Sequence, residues 1–494
     1  MNAISFRRFA LLLPLCFARA TSEAQLASDS PALTRALESV RSDYIEADIR
    51  FIASDDLEGR DTPSQGLRKA ARFLRARLMR LGFQPGGDEG GFFHHYRMGK
   101  TVLLGEGTRA SITSDGGSEL VFGLDYYFWP GGAATLDRTG EVVFVGRATS
   151  EEVAALDLSG RFALAYEEPP GPDGLMGMRN FREREAILRK RGAIGLIAAT
   201  EPGGEDAHGS ERASAIAGWV KGGRLDVQLE EKREIWPQVF VTAETARKLT
   251  ARLFGPPQVG QALGVSFRDV RAAQDSEGYV LENVAGLWPG SDPVLSHEVI
   301  VISAHYDHVG VDEGEIYNGA DDNGSGTCGM LAIAEGLKTY GPLRRTILLL
   351  WVSGEEKGLK GSYAWTKRPV LPEGHRVVCD LNVDMIGRNA PDKLLITPTA
   401  KHPAYNFLTR MAEKAAPLEG FPALGDCDDY WARSDQMNFS ENLEVPVAFL
   451  FSDVHEDYHQ PTDDAEKIDC DKIRRVARLV LRMLDGLQGD ELGG

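Results

Sequence analysis

Val299-Ile300-Val301-Ile302-Ser303-Ala304-His305-Tyr306-Asp307-His308 passes from a mostly apolar run straight into four polar residues, and the fold is read outward from that junction. A short apolar run with no polar alternation fits a strand buried on both faces. Ile347 to Val352 and Val447 to Phe451 have the same character, and Val377 to Val383 is a fourth, interrupted by Asp380 and Asn382. Helical spacing fits between or after these strands at Gly326 to Thr339, Leu359 to Lys367, Pro403 to Ala415 and Lys472 to Leu487. Buried strands alternating with helices predict an α/β fold, three layers deep, with a mainly parallel mixed sheet covered on both faces. Ligands bind such sheets beyond the carboxyl ends of the strands.

The polar clusters fall at those ends. His305 to His308 follow the first strand, Glu355-Glu356 follow the strand ending near Val352, and Asp384 ends the strand Val377 to Val383. His459 lies in the loop after Phe451, and Asp321-Asp322 lie in the loop opening the helix at Gly326. Each has a bland reading by itself. An Asp before a helix is usually a cap, a Glu-Glu pair a solvated turn, a loop His unremarkable. Five loops delivering imidazoles and carboxylates to one sheet edge is a coincidence those readings do not predict.

Imidazole nitrogen and carboxylate oxygen without thiolate suit an open catalytic Zn²⁺ site. Two ions about 3.5–4 Å apart are served by a bridging carboxylate; they polarise a scissile carbonyl and lower the pKa of a bridging water towards roughly 7. A further carboxylate then carries the proton from that water to the leaving amine, and the adjacent Glu355 and Glu356 can divide metal binding and proton transfer between them. Gly324-Ser325-Gly326-Thr327-Cys328-Gly329 also matches the dinucleotide fingerprint. It follows Asp321-Asp322 and not a strand, and two carboxylates repel a pyrophosphate, so a dinucleotide role is rejected.

The chain of 494 residues is too long for one ordinary domain. Arg7 and Arg8, the apolar stretch Phe9 to Phe17 and the site Ala18-Arg19-Ala20 (Ala24 as a second candidate) read as a signal peptide over residues 1–24, giving an exported protein, periplasmic or secreted. Leu15 is bulky where a lipidated Cys16 would want a small residue. The net charge of −18, more negative still once the basic leader is removed, argues against nucleic acid as a partner. The remaining cysteines, Cys328, Cys379, Cys427 and Cys470, form no C-x-x-C pair, and Cys328 and Cys379 are expected as buried thiols. Residues 33–83 read as largely helical with a break near Pro63, and His94 and His95 as solvated strand positions on opposite faces. From 118 to 265 the texture changes to short β-like runs, Gly140 to Val145 and Phe162 to Tyr166, then a charged helix, Asn180 to Arg191, and a buried strand, Ala193 to Ala199. No catalytic cluster falls there, and it reads as an insert between an N-terminal part (25–117) and the main catalytic part (266–494) of one domain.

With these residues in view, the sequence resembles the M28 family of co-catalytic zinc peptidases. The matching stretches are Ala304-His305-Tyr306-Asp307, Gly319 to Gly326, Ser353 to Ser362, Asn382 to Gly387 and Tyr458 to Asp463, in order and spacing; Leu57-Glu58-Gly59-Arg60 extends the likeness more loosely. The resemblance implies a zinc-exopeptidase fold in which His305 and Asp384 hold one zinc, Glu356 and His459 the other, and Asp322 bridges them. It implies Glu355 as general base and acid, Asp307 as the residue orienting His305, and Tyr458 as a hydrogen-bond donor to the tetrahedral intermediate. His308 and His455 are read as outer or loop residues. The insert is similar to a protease-associated (PA) domain, β-rich and without catalytic residues, most clearly at Gly140 to Val145 and Gly192 to Ile197. Ser434-Asp435-Gln436 departs from relatives that carry His after Ser-Asp. The activity implied is that of an aminopeptidase acting on peptide or protein N-termini. The alternatives are a carboxypeptidase of the same fold, glutaminyl cyclisation, which should not need the full bridging set, and a non-catalytic binding module, which should have lost ligands.

Overall fold

The computed structural model describes residues 29–492 apart from 105–106, 114–116, 130–133, 168–177, 203–205, 229–234 and 277, so the expected leader lies outside the described residues. At the centre is an 11-stranded sheet. Its main strands are β1 (Phe93–Leu103), β2 (Tyr279–Trp288), β3 (Glu298–His305), β4 (Thr346–Val352), β5 (Arg376–Val383), β6 (Leu395–Thr397) and β7 (Val447–Phe451). They lie in the spatial order β1-β2-β4-β3-β5-β7-β6. The middle four, β4, β3, β5 and β7, are parallel, and antiparallel strands flank them on both sides.

Period-two alternation sorts the apolar residues of these strands to two faces. Ile300, Ile302, Leu349, Trp351 and Leu381 face a core built with the helices α1 (Pro31–Ser39), α2 (Ser42–Ile52), α3 (Gln65–Leu81), α4 (Gly326–Tyr340) and α7 (Cys470–Gly486). Val299, Val301, Leu348, Leu350 and Val352 face the other way, against Trp365 of α5 (Lys360–Lys367) and Phe439 of the helix Gln436–Leu443. A further helix, α6 (Phe407–Ala415), joins the first layer. The result is the three-layer α/β/α arrangement with a mainly parallel mixed sheet. The helices start where capping chemistry allows. Ser64 Oγ accepts from the Leu67 N–H at the head of α3, Asp469 Oδ1 accepts from the Lys472 N–H at the head of α7, and Gly82 ends α3 at φ +87.

A second, 8-stranded sheet is formed between Arg109 and Arg271. Its parallel core runs through the strands Leu136–Phe144, Phe162–Glu167, Gly195–Thr200 and Gln238–Val241. The helices Met178–Lys190, Ser210–Gly222 and Ala243–Thr250 come from the same stretch of chain. Its strands include Arg109–Thr113, ahead of residue 118, and Ala262–Arg271, which runs beyond 265. One short strand of this stretch, Arg224–Val227, pairs antiparallel with Met98 to Thr101 of β1.

Three sequence readings are refined. His94 and His95 do point to opposite faces, but His94 is buried, accepts from Asn283 Nδ2 at 3.1 Å, and is pushed by burial down to about 4. Only His95 is solvated. Cys328 and Cys379 are buried thiols, as is Cys427, and none of the four described cysteines is in a disulfide. Asp380, which interrupts the apolar run of β5, is fully buried and accepts from Ser303 Oγ at 2.8 Å.

Burial holds the Asp380 carboxyl well above the usual carboxylate range. A folded pKa above the unfolded value of about 3.9 means the native state binds the extra proton, so this residue's contribution to stability is full below that value and is lost as pH rises. Asp380→Asn keeps the shape without the titration. Its stability relative to the unaltered protein should therefore rise as pH rises above the unfolded value, read from urea midpoints at a series of pH values. An equal pH dependence in both proteins would contradict this.

Candidate metal centre

The parallel register brings the carboxyl ends of four strands together. His305 ends β3 opposite Val352 of β4, so the Glu355-Glu356 turn emerges beside it. Val383 of β5 pairs with Leu450 of β7, placing Asp384 next in line and His459 in the loop beyond. The fifth contributor, Asp322, sits in a turn over Ala320–Ser325 that leads into α4.

Two groups of donor atoms result. In the first, His305 Nε2 is 3.2 Å from Asp384 Oδ1 and 3.4 Å from Asp322 Oδ1. In the second, His459 Nε2 is 3.0 Å from Asp322 Oδ2 and 3.2 Å from Glu356 Oε2. Asp322 thus gives one oxygen to each group. Donors bound to one ion at the usual 2.0–2.2 Å stand about 3.0–3.4 Å apart at angles near 90–110°. Several buried donors also lack hydrogen-bond partners, among them Glu356 Oε1 and His459 Nε2. Orphaned buried polar atoms require an explanation, and a shared cation supplies one. Electrostatics agrees. Burial works against a charged imidazole, yet Asp322 and Glu356 push His459 up to about 10, and Asp384 and Glu355 hold His305 well above its ordinary value. The carboxylates call for positive charge where the groups converge, and the residues present fit metal ions.

The surrounding shell fixes the donors. His305 Nδ1 faces the Asp307 carbonyl at 3.2 Å, which puts its proton on Nδ1 and turns the Nε2 lone pair towards the carboxylates. The Asp307 carboxylate is 3.7 Å away, accepts from Thr62 Oγ1 at 2.9 Å, and accepts from the Glu355 N–H at 3.2 Å. Asp307 therefore positions both the His305 loop and the Glu355 loop. Asp463 Oδ2 accepts from the N–H groups of Asp321 and Asp322, at 3.0 and 3.1 Å, and so holds the shared carboxylate's backbone. Asp321 itself turns away, accepting from the Gly387 N–H at 2.7 Å. Ser434 Oγ donates to Asp384 Oδ2 at 2.9 Å. Gln436, where the family resemblance breaks, accepts from Asn382 Nδ2 at 3.0 Å and donates to the Trp431 carbonyl at 2.8 Å. It is a buried brace and leaves the donor groups intact.

Sequence reasoning missed two contributors. His308, expected as an outer residue, has its Nδ1 3.0 Å from Glu356 Oε1, inside the second group. His455, its rival, does stay outside, 3.2 Å from Asp321 Oδ2. Arg60 is the other. Fully buried, it donates to the carbonyls of Tyr306, Ile52, Asn318 and Gly319 at 2.5–2.9 Å, tying the His305 loop to the Asp322 loop. The Leu57-Glu58-Gly59-Arg60 motif was the available signal. Its Gly59, at φ +64, lies where a Cβ would stand 2.4 Å from the Tyr317 carbonyl oxygen. Arg60→Ala strands four carbonyls and should cost roughly 3–5 kcal/mol, measured by urea unfolding of the zinc-free protein. A loss below about 1 kcal/mol would mean the loops hold themselves.

Residues 283–484, which carry every histidine and carboxylate of the two groups, match the model of Peptidase family M28. Over those residues the chain is similar to the M28 peptidases. Among curated proteins the chain is 28% identical to a probable leucine aminopeptidase of Trichophyton verrucosum (strain HKI 0517) over 217 residues, 42% of this chain and 57% of that protein. It is 28% identical to aminopeptidase YwaD of Bacillus subtilis (strain 168) over 188 residues, 37% of this chain and 40% of that one. The chain spans about half the length of the curated relatives it matches. Among solved structures, an aminopeptidase from Aneurinibacillus sp. strain AM-1 superposes with a TM-score of 0.47 at 19% identity, covering 92% of this chain and 96% of that one. A zinc aminopeptidase from Bacillus subtilis gives 0.46 at 19% identity, with the same coverages.

Proposed function

We propose that this chain is an exported two-zinc exopeptidase, an aminopeptidase that releases N-terminal residues from peptides. The observation that carries the reading is Asp322, whose two oxygens stand in two separate donor groups with Glu355 alongside. Zinc ions held by His305, Asp322 and Asp384 and by Asp322, Glu356 and His459 would polarise the scissile carbonyl and acidify the attacking water. Glu355 is placed to take that water's proton and pass it to the leaving nitrogen as the C–N bond breaks. Burial, reinforced by the Glu356, Asp435 and Asp384 carboxylates, raises its proton affinity well above that of an ordinary glutamate, against the opposing pull of His305. Asp307 fixes the Glu355 backbone. Tyr458, stacked on His459 with ring centroids 4.0 Å apart, lines the same cleft and is the donor proposed for the tetrahedral intermediate.

The cleft beside the donors supports the substrate assignment. Met385, Phe449 and Phe451 give it an apolar wall, which suits an apolar side chain next to the scissile bond. The names of the curated relatives, leucine aminopeptidases among them, agree. Arg433 lines the same cleft and is the one observation that favours a carboxypeptidase, since a cation there suits a terminal carboxylate. Export rests on the N-terminal signal pattern; among the described residues no helix is long and apolar enough to cross a membrane. The sheet between Arg109 and Arg271 is proposed as the PA-like insert, supported by Gly140 to Val145 and Gly192 to Ile197 falling at parallel strands of one sheet.

Hydrolysis of apolar aminoacyl chromogenic substrates, with and without chelator, tests the proposal. Turnover should need a free amine, stop on metal removal and return with zinc. Turnover that survives complete metal removal would sink it. Cleavage of N-blocked peptides from the carboxyl end would replace it with the carboxypeptidase reading.

A further inference from the structure

We infer that His308 is a sixth metal ligand, giving the second metal position four protein donors while the first keeps three. The inference rests on the two-metal reading above and changes its symmetry. The set implied by family resemblance places one histidine and one carboxylate on each side of the Asp322 bridge. The structure adds an imidazole to one side alone.

Three observations carry it. His308 is fully buried, and neither of its ring nitrogens makes a hydrogen bond. Its Nδ1 nevertheless lies 3.0 Å from Glu356 Oε1 and 3.8 Å from Asp322 Oδ2, so it faces the second donor group without bonding to it. Two donors that close without a hydrogen bond are aimed at a common point and not at each other. For bonds of about 2.1 Å, spacings of 3.0 and 3.8 Å correspond to angles of about 90° and 130° at that point, both within reach of a distorted tetrahedron. His308, Asp322, Glu356 and His459 each offer an atom within 4.8 Å of the others.

The pose is also built in. Gly319 has φ +56, and a Cβ there would lie 2.4 Å from Cγ of the His308 ring, so the imidazole occupies space that only glycine leaves open. The His308 N–H donates to the Arg60 carbonyl at 3.3 Å, anchoring the backbone on the same arginine that ties the two loops. The imidazole planes of His308 and His459 stand at 74° with centroids 5.5 Å apart, presenting two nitrogens to the group from different directions.

Sites with four protein donors are closed, whereas three donors leave a position for water or substrate. The second position therefore retains its ion more firmly, and the first is the one that exchanges and meets the substrate. The two zincs should differ in affinity by more than the five-ligand set would suggest.

The test is zinc content of the full chain, by mass spectrometry, across a chelator series. The unaltered protein should lose zinc in two separated steps. In His308→Leu the tighter step should weaken by at least about tenfold while the looser step stays in place. A variant that merely loosened the fold would shift both steps together. X-ray absorption on the zinc-loaded unaltered protein gives an independent measure, counting three imidazoles shared by two zincs instead of two. An unchanged tighter step in His308→Leu, both steps shifting together, or an absorption count of two imidazoles, would overturn the inference and leave the two-zinc peptidase standing. Absence of bound zinc from the unaltered protein would overturn both.

Discussion

On the proposed two-zinc reading, Glu355→Gln should lower kcat by about a hundred- to ten-thousandfold while the metal content stays unchanged. The amide matches the carboxylate in volume, and the Glu355 N–H that donates to Asp307 belongs to the backbone, so the turn is undisturbed. Glu356, the neighbouring donor, keeps its contact with His459. What the amide cannot do is accept a proton from water and return it to the leaving nitrogen. The expected pattern is therefore a fall in kcat with little change in KM and unaltered zinc content. A kcat within a few-fold of the unaltered enzyme would remove Glu355 from the reaction, leaving its high proton affinity as a consequence of burial alone.

Asp322→Ala should be the most damaging change to metal binding, because it is the one substitution that takes a donor from both groups. Removing Asp384 strips the first group alone, and removing Glu356 the second. For Asp322→Ala, retention of both zincs should fall by at least about a hundredfold and activity with it. The remaining donors would also lose the carboxylate that separates His305 from His459, leaving two imidazoles without the charge that faces them. Retention of one zinc at its original affinity would show that Asp322 serves one ion and does not bridge.

The edge of the sheet where this chemistry gathers was legible because buried parallel strands write themselves as apolar runs. His305, Glu356, Asp384 and His459 each follow such a run closely, and strand direction then fixes which edge they share. Asp322 was legible for a different reason, as the aspartate directly before Asn-Gly-Ser-Gly. His308 was not, because its direction is set by the loop path and by the space that Gly319 leaves at φ +56, neither of which a spacing rule encodes. Arg60 was recognised as part of a motif, but its four carbonyl partners are scattered over loops distant in sequence. The burial of His94 depends on which neighbour covers one face of β1, and period-two alternation names the face without naming the cover.

The strand Arg224–Val227 has a consequence for anyone shortening this chain. It covers the outward backbone of β1 at Met98 to Thr101, and Asp226 beside it takes the Lys360 ammonium at 2.8 Å. A truncated enzyme made by excising the second sheet would leave that stretch as a raw margin of unpaired N–H and C=O groups, the template on which chains stack edge to edge. This one strand of the inserted stretch thus works as a selvedge for the first sheet, and its removal should be met first as precipitation and only then as any change in catalysis.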